Sequence, residues 1–296
     1  MKKKRKYSNW NPSKVEKEAE EWLASEVSGP LVGFRFAEPT AGIDAAMRAK
    51  DEYANPTICS NLESLSRWYA NVGELAIAQG NKTGWAELKR ALRYRYWSMR
   101  GLVRLWELDP RRRKQARVNN LFAATYYALA VTTQATEEAN WLGERMRVSL
   151  TDGAFGNWNT GCLESFLLSL YLRSQGDVDA LVVPSIDGLE AYAGIFESWS
   201  DEVGLRSALH DVAEYHLDHA CDSDVRSIEF TIPPFIHIPV EVITLEKIRA
   251  GLGLETPRIE HELFSTVFCD PPEIIEDIED PFLDRVVEFL KDAIDP

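Results

Sequence analysis

Apolar side chains return every three or four positions through most of the chain, the period of a helix that buries one stripe. In SNLESLSRWYANVGELAIAQ, residues 60–79, one face collects Leu62, Leu65, Trp68 with Tyr69, Val72, and Leu75 with Ala76. Gly80 and Asn81 then end the run. Residues 84–108 repeat the pattern with Trp85, Leu88, Leu92, Tyr96, Met99, Val103 and Trp106. Asn11 before Pro12 reads as an N-cap and first helical position, and Asp109-Pro110 reads as the start of a helix through NNLFAATYYALAVTTQ. Further helical stretches are expected at 136–149, 161–174, 184–198 and 200–221. Pro239 opens PVEVITLEKIRAG, closed by Gly251 or Gly253, and DPFLDRVVEFLKDAI forms an amphipathic helix at the C-terminal end.

One stretch breaks the period. In SIEFTIPPFIHIP, residues 227–239, Ile228, Phe230 and Ile232 alternate with Glu229 and Thr231 before two prolines intervene. That pattern predicts a short strand or extended connector. The rest predicts an all-α fold, a multi-helix bundle of packed antiparallel pairs with at most a short extended segment near 227–238. No motif recurs at a fixed period, so a regular solenoid is not indicated. The expected organisation is a basic arm over 1–10 and one helical domain over 11–296.

Charge divides this domain. Residues 201–296 carry 23 Asp or Glu against 7 Lys or Arg, a balance of −16, whereas residues 1–200 carry 24 against 26, a balance of +2. The net −14 therefore belongs to the C-terminal third. Such a region repels nucleic acid and anionic membranes and attracts basic proteins. No apolar run approaches the roughly 20 residues of a membrane helix. MKKKRKYSNWNP lacks the apolar core of a secretory signal, and the four cysteines, Cys59, Cys162, Cys221 and Cys269, form no C-x-x-C pair. A cytoplasmic chain with reduced thiols is the expectation.

HDVAEYHLDHACDSD, residues 210–224, looks at first like a metal site, holding three of the five histidines. On a helix advancing about 100° per residue, however, the three do not converge. His216 falls among Leu205, Leu209, Val212 and Ala213 on the buried arc, His219 at its edge and His210 away from it. A zinc ion needs four donors meeting at one point, and this helix offers at most two. A buried, hydrogen-bonded His216 under an acidic outer face is expected, with no metal and no cofactor. A metal-dependent enzyme built on the histidines is the competing reading.

Lys89, Arg93, Arg100 and Arg104 form a basic stripe beside Tyr94 and Trp97. Such a stripe can follow a nucleic-acid backbone, but pairing with the acidic third, within one chain or between copies in a homodimer, explains it without a ligand. KKKRK at 2–6 has the composition of a nuclear import signal and equally that of a solvated arm. The Gly/Asn-rich loop 151–161 lacks the phosphate-binding G-x-x-x-x-G-K-[ST] pattern, and no catalytic constellation is found. The chain is expected not to be an enzyme.

Three stretches together carry a resemblance: SLSRWYANVGELAIAQGNKTGWAELKRAL, LESFLLSLYLRSQG and IPVEVITLEKIRAGLGLETPRIEHELF. They give a helical hairpin, a helix closed by a polar-Gly turn, and a helix followed by a Gly-Leu-Glu-x-Pro turn. The combination, over residues 60–265, resembles the helical immunity proteins of bacterial polymorphic-toxin systems, grouped as the immunity protein 49 family, and the antitoxins that accompany type VI secretion effectors. The resemblance implies a cytosolic, non-enzymatic protein that binds one toxin and blocks its active or substrate-binding surface. Nucleases need basic surfaces to hold their polyanionic substrate, so an acidic partner suits a nuclease toxin. The expected contact face is Asp211, Glu214, Asp218, Asp222 and Asp224, joined by Glu273, Glu276, Asp277, Glu279 and Asp280. A helical scaffold or regulator that takes a peptide in a groove between helices is the alternative.

Overall fold

The structure, a computed structural model, describes residues 11–28, 36–109, 111, 118–151, 162–182, 188–220, 230 and 234–294. Eleven α-helices are described: α1 (Pro12–Ser28), α2 (Glu38–Ala49), α3 (Ala54–Ala78), α4 (Gly84–Leu108), α5 (Asn120–Thr132), α6 (Thr136–Thr151), α7 (Cys162–Ser174), the five-residue α8 (Ala193–Glu197), α9 (Glu202–His219), α10 (Val240–Gly251) and α11 (Pro281–Ile294). The fold is all-α, and no strand occurs among the described residues. Of the connector expected near 227–238, residues 227–229 and 231–233 lie outside the described residues, and 234–237 form a turn. Pro234 opens this turn, and α10 begins at Val240 after it.

The chain gathers into two compact units: residues 1–18 with 119–271, and residues 19–118 with 272–296. In the second of these, α3 and α4 form an antiparallel hairpin whose turn begins at Gly80, with a φ of 75°. The left-handed backbone there stops α3 without the steric cost another residue would meet. The hairpin closes tightly because Gly73 and Gly84 meet across it: a Cβ on Gly84 would lie 2.3 Å from the Gly73 carbonyl oxygen. Two serines fasten the interface, Ser66 Oγ donating to the Ala91 carbonyl at 2.8 Å and Ser98 Oγ to the Cys59 carbonyl at 2.7 Å. Leu62, Leu65, Leu88 and Leu92, all predicted core positions, are buried between them. Glu63 of α3 receives Arg95 of α4 at 2.7 Å and Arg67 of its own helix at 2.6 Å; burial alone would raise its pKa, but the two guanidiniums outweigh this and lower it. The hairpin also packs against α2 and α11.

In the first unit, α5 is the central element. Its run ATYYALA is buried on nearly every side, and α6, α7 and α10 pack around it. Asn119 caps it through its side-chain oxygen, which accepts from the Leu121 and Phe122 amides. The helix therefore begins ten residues later than Asp109-Pro110 suggested. Thr244 of α10 donates to the Ala128 carbonyl of α5, and Cys162 of α7 meets the Tyr215 hydroxyl of α9 at 2.8 Å. Cys59, Cys162 and Cys269 are free thiols, and burial pushes Cys59 and Cys269 up to about 12, where a thiol is unreactive at neutral pH.

Helix α2 was not expected. It buries only Pro39, Ile43 and Ala46, too few apolar positions for a clear stripe. Residues 188–198, expected as one helix, instead hold a turn, a short 3-10 segment at Glu190–Tyr192 and α8. The α3–α4 approach leaves no room for a methyl group. Gly84→Ala, although it improves helix propensity, is expected to lower stability by about 2 kcal/mol in urea unfolding followed by circular dichroism. A stabilised variant would contradict the tight hairpin.

Candidate functional site

Acidic residues of 272–296 do two opposite jobs. Lys89 Nζ of α4 lies 2.9 Å from Asp277 and donates to the Ile275 carbonyl at 3.3 Å. Beside it on the helix, Arg90 Nε donates to Asp280 at 2.7 Å, and one turn on Arg93 reaches Asp284 at 3.3 Å. Asp280 is the centre of this contact. Its side chain is 1% exposed; one oxygen accepts from Arg90 and from the Tyr94 hydroxyl at 2.9 Å, and the other caps α11 through the Leu283 amide at 3.0 Å. Burial alone would raise the pKa of this carboxyl. The Leu283 amide, Arg90 and Tyr94 outweigh it and hold Asp280 below the usual carboxylate range. Burial meanwhile pushes the Tyr94 hydroxyl up, so it stays a donor.

The basic stripe thus has internal partners. Arg100 donates to Tyr96 and lies over Trp97, and Arg104 pairs with Glu107. Asp280, expected on a contact face, is instead a buried structural group, and Asp277 faces Lys89 while staying largely open to solvent. Glu273, Ile274, Glu276 and Glu279 point outward, with Ile274 75% exposed. An acidic strip with one apolar residue is therefore fixed on the surface of this unit by the bases beneath it.

The other expected residues belong to the first unit. Asp211 is exposed on α9 and Asp218 half-buried; Asp222 and Asp224 lie outside the described residues. Asp201 caps α9, accepting from the Val203 amide. His216 is fully buried, as its place on the apolar arc required. Its Nδ1 lies 2.8 Å from Glu241 of α10, its Nε2 3.3 Å from the Ile236 carbonyl, and its ring meets Phe230. His261 Nδ1 accepts the Leu263 amide, so the hydrogen sits on Nε2 and is donated to Glu214 at 3.2 Å. Glu214 is therefore partly covered rather than free. Among the described residues, no three His, Cys, Asp or Glu side chains come together as a metal site.

A cleft that sequence reasoning missed lies in this first unit, between α9, α10 and the irregular stretch 254–271. Cavities of about 870 and 560 Å³ adjoin here, with Glu246, Ala250, Pro257 and Arg258 lining both. Buried Val242 and Ile243 line its apolar part. At the other end Arg249, 4% exposed, donates to the carbonyls of Trp199 and Glu255 and to Thr256 Oγ1 at 2.5, 2.7 and 3.1 Å. Trp199 is flanked by Arg249 at 5.0 Å and Arg173 at 4.5 Å. Desolvation lowers the pKa of Arg249 and of Lys247, and raises that of Glu246 although its side chain remains open to the cleft. The only sequence trace of this site was the Gly-Leu-Glu-x-Pro turn, whose importance depends on which helices it crosses.

No described helix is long and apolar enough to cross a membrane. Comparison with protein-family models, with curated proteins and with solved structures finds no match.

Two acidic residues only three positions apart should behave differently. Asp280→Asn is expected to cost about 2–4 kcal/mol in urea unfolding, because it weakens the buried contacts to Arg90 and Tyr94. Asp277→Asn is expected to cost less than about 1 kcal/mol, since that carboxylate is open to solvent. The pKa of Asp280 is lower in the folded state than in the unfolded one. Its contribution is therefore complete above about pH 4 and is lost as pH falls through the lower folded value. Equal costs for the two variants would remove Asp280 from its anchoring role.

Proposed function

We propose that the chain is a non-enzymatic immunity protein of the cytoplasm. It binds a cognate basic toxin, a nuclease by preference, and covers that toxin's active or substrate-binding surface. The observation that carries this reading is the strip Glu273, Ile274, Glu276 and Glu279, held outward while Asp277, Asp280 and Asp284 face the bases of α4. Glu276 and Glu279 have no ion-pair partner among the described residues.

Fixing an acidic segment in advance lowers the ordering cost that a floppy tail would meet on binding. Negative charge on the strip steers a basic partner and accelerates encounter, the property a toxin antagonist needs most. Ile274 supplies apolar area at the centre of an otherwise charged contact, as interface cores commonly do. The same surface disfavours nucleic acid, whose phosphates it repels. Asp211 and Asp218 on α9 form a separate acidic patch and are the second place to look for contact.

Co-expression with the product of the adjacent gene is the first test, with rescue from its toxicity as the expected result. A neighbour that neither kills nor binds would end the reading. The strip itself is tested by Glu276→Lys with Glu279→Lys, which leave the α4 pairs intact. Association with the toxin is expected to slow at least tenfold, and its salt dependence to flatten, with unfolding midpoints unchanged. Unaltered association and protection would move the interface elsewhere.

A further inference from the structure

The wall of the first unit's cleft, residues 254–266, is held at its two ends by groups of different kinds. At its start Arg249 donates to the Glu255 carbonyl and to Thr256 Oγ1, and Arg206 donates to the Arg258 carbonyl. A guanidinium keeps its charge at any pH a folded protein meets, so these contacts do not titrate. At its far end His261 caps the 3-10 turn Glu262–Ser265. Its Nδ1 accepts from the Leu263 amide at 3.2 Å while its Nε2 donates to Glu214 of α9, also at 3.2 Å. Only a neutral ring can do this. An imidazolium carries hydrogen on both nitrogens and offers no acceptor in any orientation.

The turn that the ring caps closes the apolar part of the cleft. Leu263 is fully buried with Val15 of α1 and with Ala213 and Leu217 of α9. Phe264 packs against the same group and lines the 560 Å³ cavity together with Val242 and Ile243. The Leu263 carbonyl also accepts from Cys269 Sγ at 3.1 Å and from Thr266 Oγ1 at 3.3 Å. Neither donor titrates near neutral pH, since burial pushes the Cys269 thiol up to about 12.

The charges around the ring bear on when a proton arrives. From α9, Glu214 and Asp211 favour it, whereas His210, its ring 5.7 Å away, charges in the same range and opposes a second cation. His210 shares a hollow with Arg206, Arg258 and Glu260, and Glu262 follows the ring in its own stretch. From α1, Glu16 is engaged by the Val267 amide at 2.9 Å, and from α10 come Glu246 and Lys247, of opposite sign. What the proton does once bound is set by the cap. The ring is 8% exposed, so charging it in place costs desolvation, and Nδ1–H would face the Leu263 N–H. Against this, Glu214 is 47% exposed, and an ion pair so open to water adds little. Burial also holds Glu246 above the ordinary carboxylate range, so acid removes its attraction for Arg258 of the same wall earlier than for an open glutamate.

We propose that His261 is an acid-sensitive latch: a proton on Nδ1 frees the turn Glu262–Ser265, and Leu263 and Phe264 detach while the arginine-held start of the wall stays. The cavity then opens at its apolar end. The latch belongs to the first unit and does not depend on the acidic strip of the second.

Hydrogen–deuterium exchange of the full chain at about pH 7.5 and about pH 5.5, each rate divided by the intrinsic rate at that pH, tests it. Protection of the Leu263–Thr266 amides is expected to fall about tenfold at the lower pH, the effect of one lost cap, while the amides of α10 keep theirs. His261→Asn supplies a capping oxygen that does not titrate, so its protection is expected to be the same at both pH values. His261→Ala is expected to show the lower protection at both. Native protection that does not change with pH, an equal fall in His261→Asn, an equal fall across α10, or native protection at about pH 7.5 in His261→Ala would each overturn the proposal.

Discussion

The carboxylate of Asp280, buried against Arg90 and Tyr94 while it caps α11, fixes the behaviour of the whole acidic end of the chain. A charge in that position is tolerable only with its bonds in place, so the segment leading into α11 has one arrangement along α4. Once Asp280 is inside, Lys89 meets Asp277 and Arg93 meets Asp284 in the same register. The alternate residues of the segment are thereby turned outward. The outward face is acidic because its inward face has already matched the bases of α4. Stability and the proposed recognition surface come from one set of contacts, and the first can be measured without a partner.

The first unit uses the opposite device. His216 and Glu241 join α9 to α10 in the dry interior, and Arg249 ties α10 to the stretch after it through neutral oxygens. These are directional contacts rather than bulk burial. They hold a wall of irregular backbone over helices that would otherwise pack with an open seam. A cleft results because the wall is pinned at Arg249, Arg206 and His261 rather than filled by side chains along its length.

Much of the fold was legible in the sequence. The 84–108 helix is found as its apolar spacing required, and the inward turn of His216 follows from one helical wheel. Periodicity succeeds there because each helix buries a single wide stripe. It fails at α2, whose buried positions are too few, and at α5, whose burial on nearly all sides erases the stripe and leaves Asn119 as the only boundary signal. Charge counting found the acidic third but not its inner and outer halves, since Asp280 and Glu279 are indistinguishable until α4 is placed beside them. The cleft was illegible for a similar reason: Arg249 and Trp199 are ordinary residues in sequence and meet only through tertiary contacts.

Hydrogen–deuterium exchange of the chain alone and with the purified product of the adjacent gene tests the central claim most directly. Formation of the complex is predicted to slow exchange across 273–279 while leaving the α3–α4 hairpin unchanged. A stable complex whose protection falls elsewhere and spares 273–279 would contradict the account.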